Sequence, residues 1–235
     1  MSVEPGESPA PTSLPAWLEP VRRSLGRIGV QDLTRLQPPP GTPTRKSAVL
    51  VLFGEGDVGP DVLLTERAHD MRSHPGQVSF PGGSADPGES ATQTALREAE
   101  EETGLDPTGV DVFGRLPELW LPPSNFAVTP VLGYWRSVSS VSAVDPREVH
   151  AIHRVSIDYL LDPEHRVSVH HPSGFVGPAF LIGPDQDVIL WGFTAGILSR
   201  LFDFIGWTRP WDQTKTTELP EYMTQWPLTA AEERR

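Results

Sequence analysis

Glu98, Glu100, Glu101 and Glu102 crowd four carboxylates into five positions of the stretch TALREAEEETGL. Like charges spaced i,i+4 oppose a helix by about 0.2–0.5 kcal/mol per pair. Two carboxylates about 6 Å apart at an effective dielectric of about 20 repel by about 3 kcal/mol. A Glu-rich helix is usually no more than a solvated face, but the spacing here allows more. Glu98, Glu101 and Glu102 stand at i, i+3 and i+4 and so share one helical face. Three converging carboxylates form a hard-oxygen site suited to Mg²⁺ or Mn²⁺, and a bound cation would convert their repulsion into affinity. Arg97 lies four residues before Glu101 and can brace it by a charge-assisted hydrogen bond. Glu89, on the preceding turn, can reach the same site, whereas Glu100 points elsewhere.

The helix that carries these residues has readable ends. Ser90 followed by Gln93 forms a capping box, so the helix begins at Ala91. Gly104 suits the left-handed position after a helix and Leu105 the hydrophobic contact that accompanies it, which predicts a helix over about 91–103. Ala95, Leu96, Ala99 and Thr103 offer a small, mostly apolar surface for packing on a sheet. SAVLVLF from Ser47, DVLLTER from Asp61 and QVSF from Gln77 read as strands before it. VDVFGRLPEL, FAVTPVLGYWR, HAIHRVSI, HRVSVHH and PAFLIG are strand candidates after it, with room for one helical turn between Ser156 and Asp162. Two further helices are predicted. PAWLEPVRRSLGRIG has apolar residues at Trp17, Val21, Leu25 and Ile28. The segment from about Leu190 to Ile205 carries a stripe of Phe193, Ile197, Leu198, Leu201, Phe202 and Ile205. The expected organisation is a disordered segment over 1–14, one α+β domain over 15–206 and an extension over 207–235.

Composition narrows the chemistry. The chain has no cysteine, which excludes disulfides, thiol catalysis and Cys-ligated zinc. Its net charge of −12 argues against a nucleic-acid partner. The polar, proline-rich start lacks the apolar core of a signal peptide. The most apolar run is interrupted by Arg200 and Asp203, so no membrane association is expected. A cytoplasmic protein is the default expectation, with assembly as a homodimer left open.

The interval is specified in detail: Gly83, five residues, Glu89, seven residues, then Arg97-Glu98-Ala99-Glu100-Glu101-Glu102-Thr103-Gly104-Leu105. It resembles, position for position, the signature of the Nudix hydrolases, with Ala99 a small occupant of a bulky aliphatic position. That resemblance implies a Nudix α/β/α sandwich with a mixed β-sheet and a loop-helix-loop catalytic motif. It also implies Mg²⁺ or Mn²⁺ held by Glu98, Glu101 and Glu102 with help from the Gly83 carbonyl. Arg97 and Glu89 would orient the carboxylates. The implied reaction is hydrolysis of a nucleoside diphosphate linked to another moiety, by metal-activated water.

The stretch before the box, LLTERAHDMRSHPGQVSFPGG, is similar to the extra motif of the coenzyme A pyrophosphatase branch. Leu63, Leu64, Thr65, Arg67, Ala68, Arg72, Gly76 and Phe80 to Gly83 all fit, and WGFTAGIL is similar to that branch's closing helix. Coenzyme A or a derivative is then the expected substrate, cut to 3′,5′-ADP and 4′-phosphopantetheine products. Arg67, Arg72 and His74 would place positive charge beside the phosphates. Against this, Arg67 and Arg72 could pair with Asp70 and Glu89, and His74 could serve a turn. The alternatives are a hydrolase of ADP-ribose or NADH, or a non-catalytic nucleotide-sensing module. Glu148, in DPREVHAIHRVSI, matches a later glutamate of the branch and competes with Glu101 as general base. His150, His153, His165, His170 and His171 show no helical metal-ligand spacing, so zinc is not expected at the His170-His171 pair.

Overall fold

The apolar run starting at Ser47 becomes the core of the longest strand, and the rest of the domain is arranged about it. The computed structural model describes residues 14–71, 74–122, 124–172, 174 and 176–224. In chain order the elements begin with α1 (Glu19–Ser24), α2 (Val30–Leu33), β1 (Arg45–Gly56), β2 (Gly59–Arg67), β3 (Val78–Ser79), β4 (Gly82–Ser84) and α3 (Ala91–Thr103). Then come β5 (Val110–Arg115), β6 (Leu119–Leu121), β7 (Phe126–Trp135), β8 (Val149–Ser156) and α4 (Ile157–Leu161). The last are β9 (Arg166–His170), β10 (Val176–Ile182), β11 (Val188–Leu190), α5 (Gly192–Ile205), β12 (Thr216–Thr217) and α6 (Glu221–Thr224).

Among the described residues the main sheet runs β3-β2-β1-β7-β5, with β4 on β1, β6 on β7 and β8 on β2. β1 is antiparallel to β2, closing through Gly56↔Gly59, and parallel to β7 from Arg45↔Phe126 to Phe53↔Tyr134. The sheet is therefore mixed. β1 is apolar without alternation because both its faces are covered. Val51, Phe53, Val62 and Leu64 pack with Val21 of α1 and Leu198, Leu201 and Phe202 of α5. Leu50, Leu52 and Leu63 pack on the other face with Ala95 and Ala99 of α3 and with Leu105. The result is the expected α+β class in an α/β/α layering.

α3 has the predicted limits. The Ser90 hydroxyl accepts from the Gln93 N–H at 3.3 Å, and Gln93 Oε1 accepts from the Ser90 N–H at 2.9 Å. Gly104 ends the helix at φ 69°, a conformation that costs a residue with a Cβ about 1–2 kcal/mol.

Three features differ from the sequence reading. The predicted N-terminal helix forms over Ala16–Leu18 as a 3₁₀ turn running directly into α1 and stops at Ser24 rather than near Gly29; Gly26 lies just past its end, where glycine's freedom disfavours continuing the helix, and α2 is a separate short turn beyond it. α5 begins at Gly192 rather than Leu190, because Val188–Leu190 pairs as a strand with β10 and Gly192 turns the chain at φ 70°. A second sheet, β11-β10-β9-β12, takes a strand from the extension: Thr216 and Thr217 run parallel to Ser168 and Val169 of β9. Leu219 and Met223 then close a small core with Val167, Val169 and Trp191. The segment expected to be disordered lies outside the described residues apart from Leu14. No helix among the described residues is long and apolar enough to cross a membrane.

Ser90→Ala removes the cap of α3 and is expected to lower stability by about 1 kcal/mol in urea denaturation. An unchanged midpoint would show that the box does not hold the helix start.

Candidate functional site

β4 brings backbone to the glutamate face of α3. Ser47↔Ser84, Ala48↔Gly83 and Val49↔Gly82 pair it to β1, so the glycines lie beside the helix that packs on the same sheet. A Cβ added to Gly83 would sit 2.4 Å from the Glu98 carboxyl carbon and 2.5 Å from both its oxygens. Glycine is thus what lets that carboxylate lie against the chain. The Gly82 N–H donates to Glu102 Oε2 at 3.2 Å. The Gly83 carbonyl accepts from the Ser47 hydroxyl at 2.6 Å, and Gly83 pairs with Ala48 in the β1–β4 ladder.

Arg97 ties the acids together. Its Nε and Nη2 donate to the two oxygens of Glu89 at 2.8 and 3.0 Å. Its Nη1 donates to Glu98 Oε1 at 3.1 Å and Glu101 Oε2 at 3.0 Å, and Nη2 also reaches the Ser84 carbonyl at 3.0 Å. Glu89 accepts further bonds from the Asp86 N–H and the Thr94 hydroxyl, each at 3.0 Å. The Arg97 hydrogen bond, then the Asp86 N–H, hold the Glu89 carboxyl at about 2. The fork geometry of guanidinium is needed for this; a lysine offers a point charge only.

The other carboxylates are shifted the opposite way. Burial pushes Glu102 up to about 7, against the Gly82 hydrogen bond and the charge of Arg67, and the charges of Glu98 and Glu148 add to the rise. Burial, first of all, also raises Glu98. Glu101 has 59% of its side chain exposed and Glu100 is exposed as well. Two carboxyls poorly solvated at close quarters, with a third at the rim, are an all-oxygen donor set. Such a set fits a hard divalent cation.

The residues expected to meet substrate fall partly on this site. The Arg67 Nε is buried with no hydrogen-bond partner among the described residues, while the guanidinium charge acts on Glu102 and His74. Glu89, suggested as an alternative partner for Arg67, is committed to Arg97 instead. His74 sits at φ 56° with Nδ1 2.6 Å from Gln77 Oε1. Burial and the Arg67 charge lower His74 to about 4, so it is neutral near pH 7 and does not supply the positive charge expected of it. Arg72 lies outside the described residues. Glu148 is exposed immediately before β8, its carbonyl accepts from the Ala68 N–H at 3.0 Å, and its charge reaches Glu102. One polar group escaped sequence reading: Glu66, His69 and His150 meet from two strands and a connecting loop, with no spacing to announce them.

A family model for the NUDIX domain matches residues 43–172. The chain is 38% identical over 165 residues to Nudix hydrolase 15, mitochondrial, of Arabidopsis thaliana, covering 66% of this chain and 57% of that protein. It is 36% identical over 170 residues to the "Uncharacterized Nudix hydrolase NudL" of Enterobacter sp. (strain 638), covering 69% of this chain and 83% of that one. The match spans only 48–62% of the length of the plant and nematode relatives. Among solved structures, RenU, a Nudix hydrolase from M. smegmatis, aligns with a TM-score of 0.47 at 18% identity, over 72% of this chain and 90% of that chain.

The depressed Glu89 carboxyl contributes stability that is present above the ordinary carboxylate value of 4.5 and lost as pH falls toward about 2. Arg97→Lys removes the fork, and carboxyl NMR titration is expected to find Glu89 back near its ordinary value in that variant. A Glu89 that still titrates near 2 would show that Asp86 and Thr94 suffice.

Proposed function

The chain belongs to the Nudix family, and from that premise we propose that it is a divalent-cation-dependent hydrolase of the diphosphate bond in coenzyme A or its derivatives. The products are 3′,5′-ADP and a 4′-phosphopantetheine compound. The observation that carries this reading is the unpartnered, buried Arg67 Nε beside the α3 carboxylates. A buried guanidinium nitrogen without a partner, whose charge acts on an oxygen-ligand cluster, is matched by an anion that engages both, and a diphosphate does so. The choice of coenzyme A rests on the likeness of LLTERAHDMRSHPGQVSFPGG, from Leu63 to Gly83, to that branch.

In this reading Glu98, Glu101 and Glu102 would hold Mg²⁺ or Mn²⁺, helped by the Gly83 carbonyl. The bound ion supplies polarisation of a phosphoryl oxygen and a lowered pKa for its water. Arg97 and Glu89 position the carboxylates. Arg67, Arg72 and His74 contact the substrate at its phosphates. Glu148 or Glu101 takes the proton as the water oxygen bonds to phosphorus and the bridging P–O bond breaks.

Full-length protein with Mg²⁺ or Mn²⁺ is expected to convert coenzyme A, acyl-coenzyme A or oxidised coenzyme A to these two products, identified by mass. Intact coenzyme A alongside cleaved ADP-ribose or NADH would move the substrate. Tight binding without turnover would make the chain a nucleotide sensor. Glu102→Gln is expected to lower kcat by orders of magnitude while leaving the melting temperature unchanged or raised, because an ionisable group is removed from a poorly solvated place. A large loss of stability in that variant would assign Glu102 to the fold instead.

A further inference from the structure

The cluster around Glu66 is built from elements that strand alternation alone would not bring together. β2 and β8 pair Leu64↔His153 and Glu66↔Ala151, which puts His153 on the Glu66 face. The same alternation would send His150 to the other face. The next pair is Arg67↔Val149, however, so His150 is skipped at a bulge, and bulges re-aim side chains. One ligand atom each from Glu66, His69 and His150 consequently lies within 4.8 Å of the others. The His69 and His150 rings are 4.7 Å apart between centroids.

Glu66 is 6% exposed. Buried carboxylates are expensive unless paired, and the usual partner is an arginine or lysine. Here both oxygens are met by imidazole: His69 Nε2 is 2.7 Å from Oε1 and His153 Nε2 is 2.8 Å from Oε2. His69 is backed by the Tyr222 ring of α6 at 5.2 Å. Gly76 makes room for that packing, since a Cβ there would lie 2.6 Å from Tyr222.

We propose that Glu66, His69 and His150 bind one divalent cation of the zinc class at a site separate from the α3 carboxylates, with His153 holding the second oxygen of Glu66. Two imidazoles and a carboxylate are a zinc donor set that leaves a fourth position for water. Imidazole nitrogen favours zinc-class ions over magnesium, whereas the all-oxygen set on α3 favours the reverse. Tetrahedral zinc with bonds of about 2.0–2.2 Å separates its donors by about 3.4 Å. His69 and His150, both exposed, can close that gap by side-chain rotation, with the ion replacing the His69–Glu66 hydrogen bond. His153 is the outer partner that orients a ligating carboxylate. The ion would join β2, the loop after it and β8 next to Arg67. The site does not rest on the reading of α3 as catalytic.

The test uses full-length, chelator-stripped protein in millimolar Mg²⁺, titrated with Zn²⁺ or Co²⁺ and followed by equilibrium dialysis with elemental analysis. One equivalent is expected to bind wild type and the Glu98→Gln/Glu102→Gln double variant alike. His69→Asn and His150→Asn, checked for fold by circular dichroism, should lose the site, and His153→Gln should weaken it by about 10–100-fold. Wild type itself should show intense visible cobalt bands of tetrahedral form and metal-induced ¹⁵N shifts at two histidines. Unchanged Zn²⁺ binding in the His69 and His150 variants would overturn the site. So would loss of binding in the double glutamine variant, or only weak octahedral cobalt bands in wild type.

Discussion

Two carboxylates that share a poorly solvated pocket repel each other, and water cannot relieve them. Glu98 lies against the backbone of Gly83, and Glu102 is buried deeply enough that its proton is held to about 7. Several features of the domain are arranged around that constraint. The small residues Ala95 and Ala99 let α3 approach the sheet closely. β4 adds a glycine edge along β1, where any side chain at Gly83 would collide with Glu98. Arg97 offsets part of the negative charge while fixing the directions of Glu89, Glu98 and Glu101. The net charge of the pocket is still negative after Arg97 has done this, and a hard divalent cation is the complement.

The sheet explains why such a pocket is tolerated. β1 is covered on both faces, by α1 and α5 on one side and α3 on the other. Close-packed cores resist small displacements, so the helix cannot drift away from β4 to relax its acids. The electrostatic strain is local, and the apolar packing that holds it is distributed across the domain. Arg67 is related: it ends a strand whose inner residues are core, its charge acts on Glu102, and its Nε is buried without a hydrogen-bond partner among the described residues.

What could be read in the sequence was what local rules decide. Ser90, Gln93 and Gly104 set the limits of α3 within their own turns, and the i, i+3, i+4 spacing put its acids on one face. Features that depend on pairing between distant segments were hidden. The bulge that turns His150 toward Glu66 exists only in the β2–β8 register. The strand made by Thr216 and Thr217 exists only beside β9. His74 reads as a cation in sequence and is neutral because of its burial beside Arg67. The N-terminal periodicity was real over Ala16–Ser24, but the helix stops there, short of Gly26.

The central claim is that the α3 carboxylates need a hard divalent cation to relieve them. The most direct measurement is the melting temperature of metal-free protein as Mg²⁺ is added, since Mg²⁺ seeks oxygen rather than imidazole ligands. Ligand linkage predicts a rise that grows with the logarithm of concentration above Kd in wild type and is absent in the Glu98→Gln/Glu102→Gln double variant. An equal rise in both proteins, or none in wild type, would contradict the account.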